Sequence, residues 1–227
     1  MTEFLLVLTL FLLSHAIPAR PHIRARLVAI LGERAYLILY SALSVLLLVW
    51  LISAAARAPY VALWQPSLDL YWAPVLAMVP AAILLAGGAI APNPVSISFS
   101  RRPFNPARPG IVAVTRHPIL WAFALWAFAH AVPNGDLVSL IMFGGFGLFA
   151  LAGMALIDRR KRRALGSGWT DLARRTSVVP FARTPDRRLP WEWRGLAVAV
   201  LAGVLLYGAL LHVHPQLFGP DPAALFS

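Results

Sequence analysis

His15 and His130 stand inside long uncharged runs, where an imidazole is costly to leave unpaired and usually faces a bundle interior to serve a function. His130 lies near the far end of Arg116–Asp136, a stretch that opens with Arg116-His117-Pro118 and closes on Pro133-Asn134-Gly135-Asp136. Pro118 suits the first turn of a helix, because it lacks only an N–H that would have no partner there, and the closing residues are turn formers. His117 therefore stands at the mouth of one helix and His130 near its end. Thirteen residues separate them, about 140° around the axis, so they cannot grip one ligand from the same side. His130 shares its face with Phe123, Trp126 and Ala127, aromatics beside a small residue that suit a flat apolar cofactor and suit helix packing equally well. His15 follows Ser14 in the first apolar run, and Pro18 denies the Ser14 carbonyl its usual N–H partner.

Two histidines on different buried helices, with no cysteine and no buried carboxylate, are the donor set that a non-covalent b-type haem takes as axial ligands. The lack of cysteine removes disulfides, thiolate metal sites and covalent haem attachment through Cys-x-x-Cys-His. A zinc site would want three or four ligands at characteristic spacing, which the sequence does not offer. Arg108, Arg116 and His117 fall in a basic loop, where a solvated interface explains them at least as well as anion binding. His22, His212 and His214 are expected in or near loops, with water as their partner.

The elements that must position these residues are membrane helices. Of 227 residues, 59% are hydrophobic and 13% charged, with a mean hydropathy of +0.72. That balance is far from a soluble domain's and predicts one all-α, polytopic membrane helix bundle over residues 1–227. Six spans are expected, at about Met1–Arg20, Ala35–Ala55, Tyr71–Ile90, Pro118–Val132, Leu137–Ile157 and Gly195–Val213, and the first needs its whole length to supply the roughly 20 residues a bilayer core takes. The first is a poor signal peptide, because Glu3 stands where positive charge belongs. Connectors after the first, third and fifth spans hold 19 of the 20 Lys and Arg residues, and Arg57 alone lies elsewhere. Basic residues stay cytoplasmic, so both termini are expected outside, with the chain in a bacterial inner membrane. The +11 net charge is thus divided among loops and forms no single nucleic-acid-binding face. The run Arg159–Arg163 stops transfer and attracts anionic lipid, at about 1 kcal/mol per charge. Gly87, Gly88, Gly144, Gly145, Gly147 and Gly153 read as small residues that let helices approach closely.

Several separated motifs carry a family resemblance over nearly the whole chain. Leu12-Leu13-Ser14-His15 with Pro18 and Pro21, Leu31-Gly32-Glu33-Arg34-Ala35-Tyr36, Tyr40-Ser41, Thr115-Arg116-His117-Pro118, Leu125-Trp126-Ala127-Phe128-Ala129-His130 and Asn134-Gly135-Asp136 resemble the NnrU family. That family is linked with nitrite and nitric oxide reduction and is related to 15-cis-zeta-carotene isomerase, which uses haem b to turn a cis double bond to trans. The resemblance implies haem b held by His15 and His130 and an apolar, carotenoid-like polyene as substrate; Trp126, Ala127, Arg116 and His117 are the further candidate cofactor-binding residues. The isomerase has a cysteine where this chain has Ala127, so a redox ligand switch through that position does not carry over. The expected topology sets His15 nearer the cytoplasm than His130, which makes His117 the substitute second ligand.

A different chemistry is also consistent with some of the same residues. Thr115-Arg116-His117-Pro118, Asp158-Arg159-Arg160, Gly166, Trp169 and Val178-Val179-Pro180 resemble the isoprenylcysteine type of membrane methyltransferase, which uses S-adenosylmethionine. This chain has Asp158-Arg159 where that family has two acids, and Trp169 and Ala173 where it has tyrosines, so the likeness implies shared architecture more than shared chemistry. A third alternative is a non-enzymatic subunit of a reductase complex.

Overall fold

The computed structural model describes residues 1–18, 20–182 and 192–226, and it is helical throughout apart from loops and an isolated bridge between Ala62 and Asp136. Arg183, Arg187 and Arg188 of the last basic connector lie outside the described residues. The helices are α1 (Thr2–Ala16), α2 (Pro21–Leu31), α3 (Glu33–Arg57), α4 (Trp72–Ile90), α5 (Pro118–Asn134), α6 (Leu137–Leu165), α7 (Ser167–Arg175) and α8 (Trp193–Phe218). They form two compact units, one of residues 1–64 with 136–142, the other of 65–135 with 143–227.

Four helical segments are long and apolar enough to cross a membrane: Glu33–Arg57, Leu68–Ile90, Leu137–Leu165 and Trp193–Phe218. The count becomes five if α1 and α2, set at 83°, are taken as one broken span. The six expected spans are therefore not all full-length helices, and proline is the reason. α1 has only 15 residues, because Pro18 cannot extend its hydrogen-bond ladder and Pro21 starts the next helix. α5 has 17 residues, about 25 Å, between Pro118 at its start and Gly135 in the left-handed region (φ 68°) at its end. α6 and α8, by contrast, run past the apolar stretches that announced them. Asp158 therefore lies on α6, and His212 and His214 lie on α8, not in loops.

In the first unit, α1 and α3 are tied at one end by Glu3, whose Oε1 accepts from Trp50 Nε1 at 3.0 Å and from Arg57 Nη2 at 2.7 Å. Arg57, the single cation outside the three basic connectors, is thereby paired with an acid.

In the second unit, α4 is flanked by α5 and α8 at glycine contacts. A Cβ on Gly203 of α8 would strike the Ile83 backbone of α4, and one on Gly87 would lie 2.8 Å from Ala199 Cβ. Gly88 leaves room for Pro118 and Ile119 of α5, and Gly147 for the Phe128 ring. Gly144 and Gly145, expected to serve the same purpose, have no neighbour within 4 Å of the Cβ position among the described residues. Tyr207 donates to the Val75 carbonyl at 2.9 Å and pins α8 to α4.

Candidate functional site

The polar centre of the second unit is built around Thr115-Arg116-His117, at the entrance to α5. His117 has no exposed surface at all (0%), and Arg116 is buried too, so the solvated loop expected for them is not what forms. The cause is Asp158, a buried carboxylate that the sequence did not announce. α6 continues beyond its apolar run and brings Asp158 against the loop. Its Oδ2 accepts from Arg116 Nη2 at 2.5 Å and from Nε at 3.1 Å, and its Oδ1 accepts from Nε and from His117 Nε2, both at 3.1 Å. His117 Nδ1 accepts from the Ser96 hydroxyl at 2.7 Å. Burial, partly offset by the Asp158 carboxylate, pushes the imidazole down to about 4, so it is neutral at pH 7 and its proton sits on Nε2.

Backbone groups complete the arrangement. Asn93 accepts from the Val95 and Ser96 amides at 3.1 Å and donates to the Arg116 carbonyl at 2.9 Å. The Arg116 amide donates to Ser177, Thr115 Oγ1 to Val178 at 2.7 Å, and Trp121 Nε1 to Val178 at 2.7 Å. Trp169 of α7 packs against Val95 and Ala173, with the Arg162 guanidinium 4.5 Å and the Arg116 guanidinium 5.9 Å from its ring centre. The segments 91–117, 158–169 and 176–181 are thus clamped over the start of α5. Asn93-Pro94 was a visible turn signal, whereas Ser96, Thr176 and Ser177 carried none.

Ser96, His117 and Asp158 have the composition of a hydrolase triad but not its properties. A serine nucleophile needs access and a general base that titrates near the working pH. Here Ser96 is buried, the imidazole titrates near 4, and the carboxylate is matched by Arg116. The set is a structural clamp. Both nitrogens of His117 are occupied, so it cannot serve as a metal ligand without breaking the network, and the Arg116 guanidinium is engaged by Asp158 and the Thr176 carbonyl.

The two histidines of the apolar runs are held quite differently, each within its own unit. His15 Nδ1 lies 2.7 Å from the Phe11 carbonyl one turn earlier, with Ser14 Oγ at 3.2 Å, and its ring packs 4.3 Å from Phe11 and 5.8 Å from Tyr40. His130 Nδ1 lies 2.7 Å from the Trp126 carbonyl, and its ring is 5.7 Å from both Trp126 and Phe143. A carbonyl can only accept, so each Nδ1 carries the proton and each Nε2 keeps its lone pair. Neither Nε2 has a hydrogen-bond partner among the described residues. Ala127 is fully buried beside Trp126, while Phe123 is half exposed. No cluster of three or more His, Cys, Asp or Glu suited to a metal ion occurs among the described residues.

The NnrU protein family matches residues 3–222. The chain belongs to the NnrU family. Among curated proteins, it is similar to the chloroplastic 15-cis-zeta-carotene isomerase of Zea mays, 35% identical over 79 residues, covering 35% of this chain and 22% of that protein. It is also similar to the Arabidopsis thaliana 15-cis-zeta-carotene isomerase, 30% identical over 114 residues, covering 48% of this chain and 31% of that protein. No solved structure matches the chain. Haem, the cofactor that the NnrU resemblance implies, fits the donor chemistry of His15 and His130. A metal-bound imidazole commonly donates its other ring N–H to a carbonyl, which fixes the tautomer and raises the basicity of the ligating nitrogen.

Proposed function

We propose that this NnrU-family chain is a haem b protein of the membrane that acts as a cis-trans isomerase on an apolar, carotenoid-like polyene. The observation that carries this reading is the matched presentation of His15 and His130, each with Nδ1 held by the carbonyl one turn back, an aromatic ring from that same residue, and an Nε2 without a hydrogen-bond partner among the described residues. The relatives named 15-cis-zeta-carotene isomerase support the reaction class. His15 and His130 would hold the iron, with Trp126 and Ala127 beside it, and bound haem supplies an iron centre that can share electron density with a polyene and ease rotation about a double bond. This chain's own part is to present two basic nitrogens, exclude water with aromatic and alanine side chains, and leave an apolar face for the substrate. Arg116 and His117 belong to the clamp described above, which disfavours both a His15–His117 ligand pair and an S-adenosylmethionine site built on Arg116.

The test is the absorption spectrum of purified protein, reconstituted with haem b, oxidised and reduced. A low-spin spectrum is expected, with His15→Ala and His130→Ala losing haem or turning high-spin, and with saturable S-adenosylmethionine binding no better than that of an unrelated membrane protein. Protein that stays colourless after reconstitution would sink the proposal. A low-spin spectrum that survives His130→Ala but not His117→Gln would move the second ligand to His117. If wild-type haem is low-spin yet no polyene is isomerised, a redox accessory role in nitrite or nitric oxide reduction takes its place.

The sidedness proposed with this function rests on the division of basic residues and on the pairing of Arg57 with Glu3. Reporter fusions after Asn134 should read outside and those after Arg163 inside, and a cytoplasmic signal at Asn134 would reverse the assignment.

A further inference from the structure

We propose that Phe143 is a positioning residue that fixes the plane of the His130 imidazole and so keeps its Nε2 presented; its bearing on a metal ligand rests on the haem reading above. The Nδ1–H···O=C bond to Trp126 secures one edge of the ring. One hydrogen bond leaves the ring able to rock, because the terminal torsion of histidine is broad. Two aromatic rings restrict that rocking. Trp126 lies 5.7 Å from the imidazole at an interplanar angle of 45°, and Phe143 lies 5.7 Å away at 33°. Phe143 also meets Trp126 edge-on, at 5.5 Å and 75°, so the three rings close on one another. All three separations fall within the span of about 4.5–7 Å where aromatic pairs attract.

The two neighbours are not equivalent. Trp126 sits one turn before His130 and moves with α5. Phe143 comes from α6 and ties the imidazole to a second helix. No charge or metal-ligand pattern pointed to it in the sequence. The plane of an axial imidazole sets the splitting of the iron d orbitals, and partners that orient a ligating histidine typically change metal affinity by about 10–100-fold when lost.

The experiment compares wild type, Phe143→Leu, Phe143→Tyr and Phe123→Leu in lipid nanodiscs. Phe143→Met replaces the Leu variant if that one does not accumulate. The first readout needs no haem: 15N spectra of histidine-labelled protein, with His130 assigned by difference from His130→Gln. Wild type is expected to show one Nδ1–H tautomer for His130 and Phe143→Leu a mixture, with Phe143→Tyr restoring the single form. Phe123→Leu should leave it intact, since Phe123 is half exposed. The second readout is electron paramagnetic resonance of haem-loaded protein. Phe143→Leu should broaden the low-spin signal, add a high-spin component and lower haem affinity by about tenfold. His130 signals, g values and affinity that match wild type in Phe143→Leu would overturn the proposal. A wild type that takes up no haem, while its His130 signals still respond to Phe143→Leu, would support the positioning of His130 and overturn the haem reading instead.

Discussion

Replacing Asp158 with alanine is expected to lower stability by about 4 kcal/mol, because it leaves the buried Arg116 cation without its counter-charge and His117 without an acceptor. The carboxylate takes four of the hydrogen bonds that hold segment 91–117 to α6, and no water can replace it at His117, which has no exposed surface. Thermal unfolding in detergent micelles, followed by tryptophan fluorescence, measures the loss. Arg116→Gln with Asp158→Asn removes both charges at once, so the pair should be more stable than Asp158→Ala alone, with a coupling above about 1.5 kcal/mol in the double-mutant cycle. An Asp158→Ala protein within about 0.5 kcal/mol of wild type would show that the clamp does not stabilise the unit. The same variant should barely alter a haem spectrum, since His130 has no contact with the clamp residues among its hydrogen bonds and ring pairs.

Acidification provides the second large effect. His117 titrates near 4 when folded, against 6.5 for an unperturbed imidazole, so between those values the unfolded chain binds a proton that the folded chain refuses. Stability from this group is complete above about pH 6.5 and is lost as pH falls toward 4, by at most about 3 kcal/mol. The sign follows from burial, which penalises the charged form more than the Asp158 carboxylate rewards it. Unfolding midpoints of wild type and His117→Gln, recorded from pH 7.5 to 4, separate this group from the rest of the chain. The wild-type curve should fall more steeply over that window, and parallel curves would show that His117 does not titrate with folding.

What the sequence could determine by itself was whatever depends on local chemistry. Apolar run length predicted membrane helices, and α3 and α4 are there to within a few residues, whereas α6 and α8 continue past the expected ends at Ile157 and Val213 to Leu165 and Phe218. Pro118 and Gly135 marked the ends of α5, although Pro133, expected in the turn, lies inside the helix, and the spacing of Trp126, Ala127 and His130 placed them on one face. The NnrU motifs were legible because they are strings of identities, independent of packing. Tertiary structure alone decided what depends on a partner far along the chain. Asp158 stood out only as the acid of Asp158-Arg159 in the methyltransferase likeness, and its burial follows from the unbroken extension of α6, which no local signal distinguishes from a helix that stops at the membrane edge. Once it lies beside Arg116 and His117, 42 and 41 residues away in sequence, solvation of that loop is no longer the favourable state. The shortness of α1 required weighing Pro18 against the apolar residues around it. Phe143 was invisible as a neighbour of His130 because a phenylalanine in an apolar helix gains its meaning only from which ring it meets. Helix periodicity is carried by consecutive residues and can be read directly, whereas a buried ion pair or a cross-helix ring contact exists only after two distant segments have been brought within a few ångströms of each other.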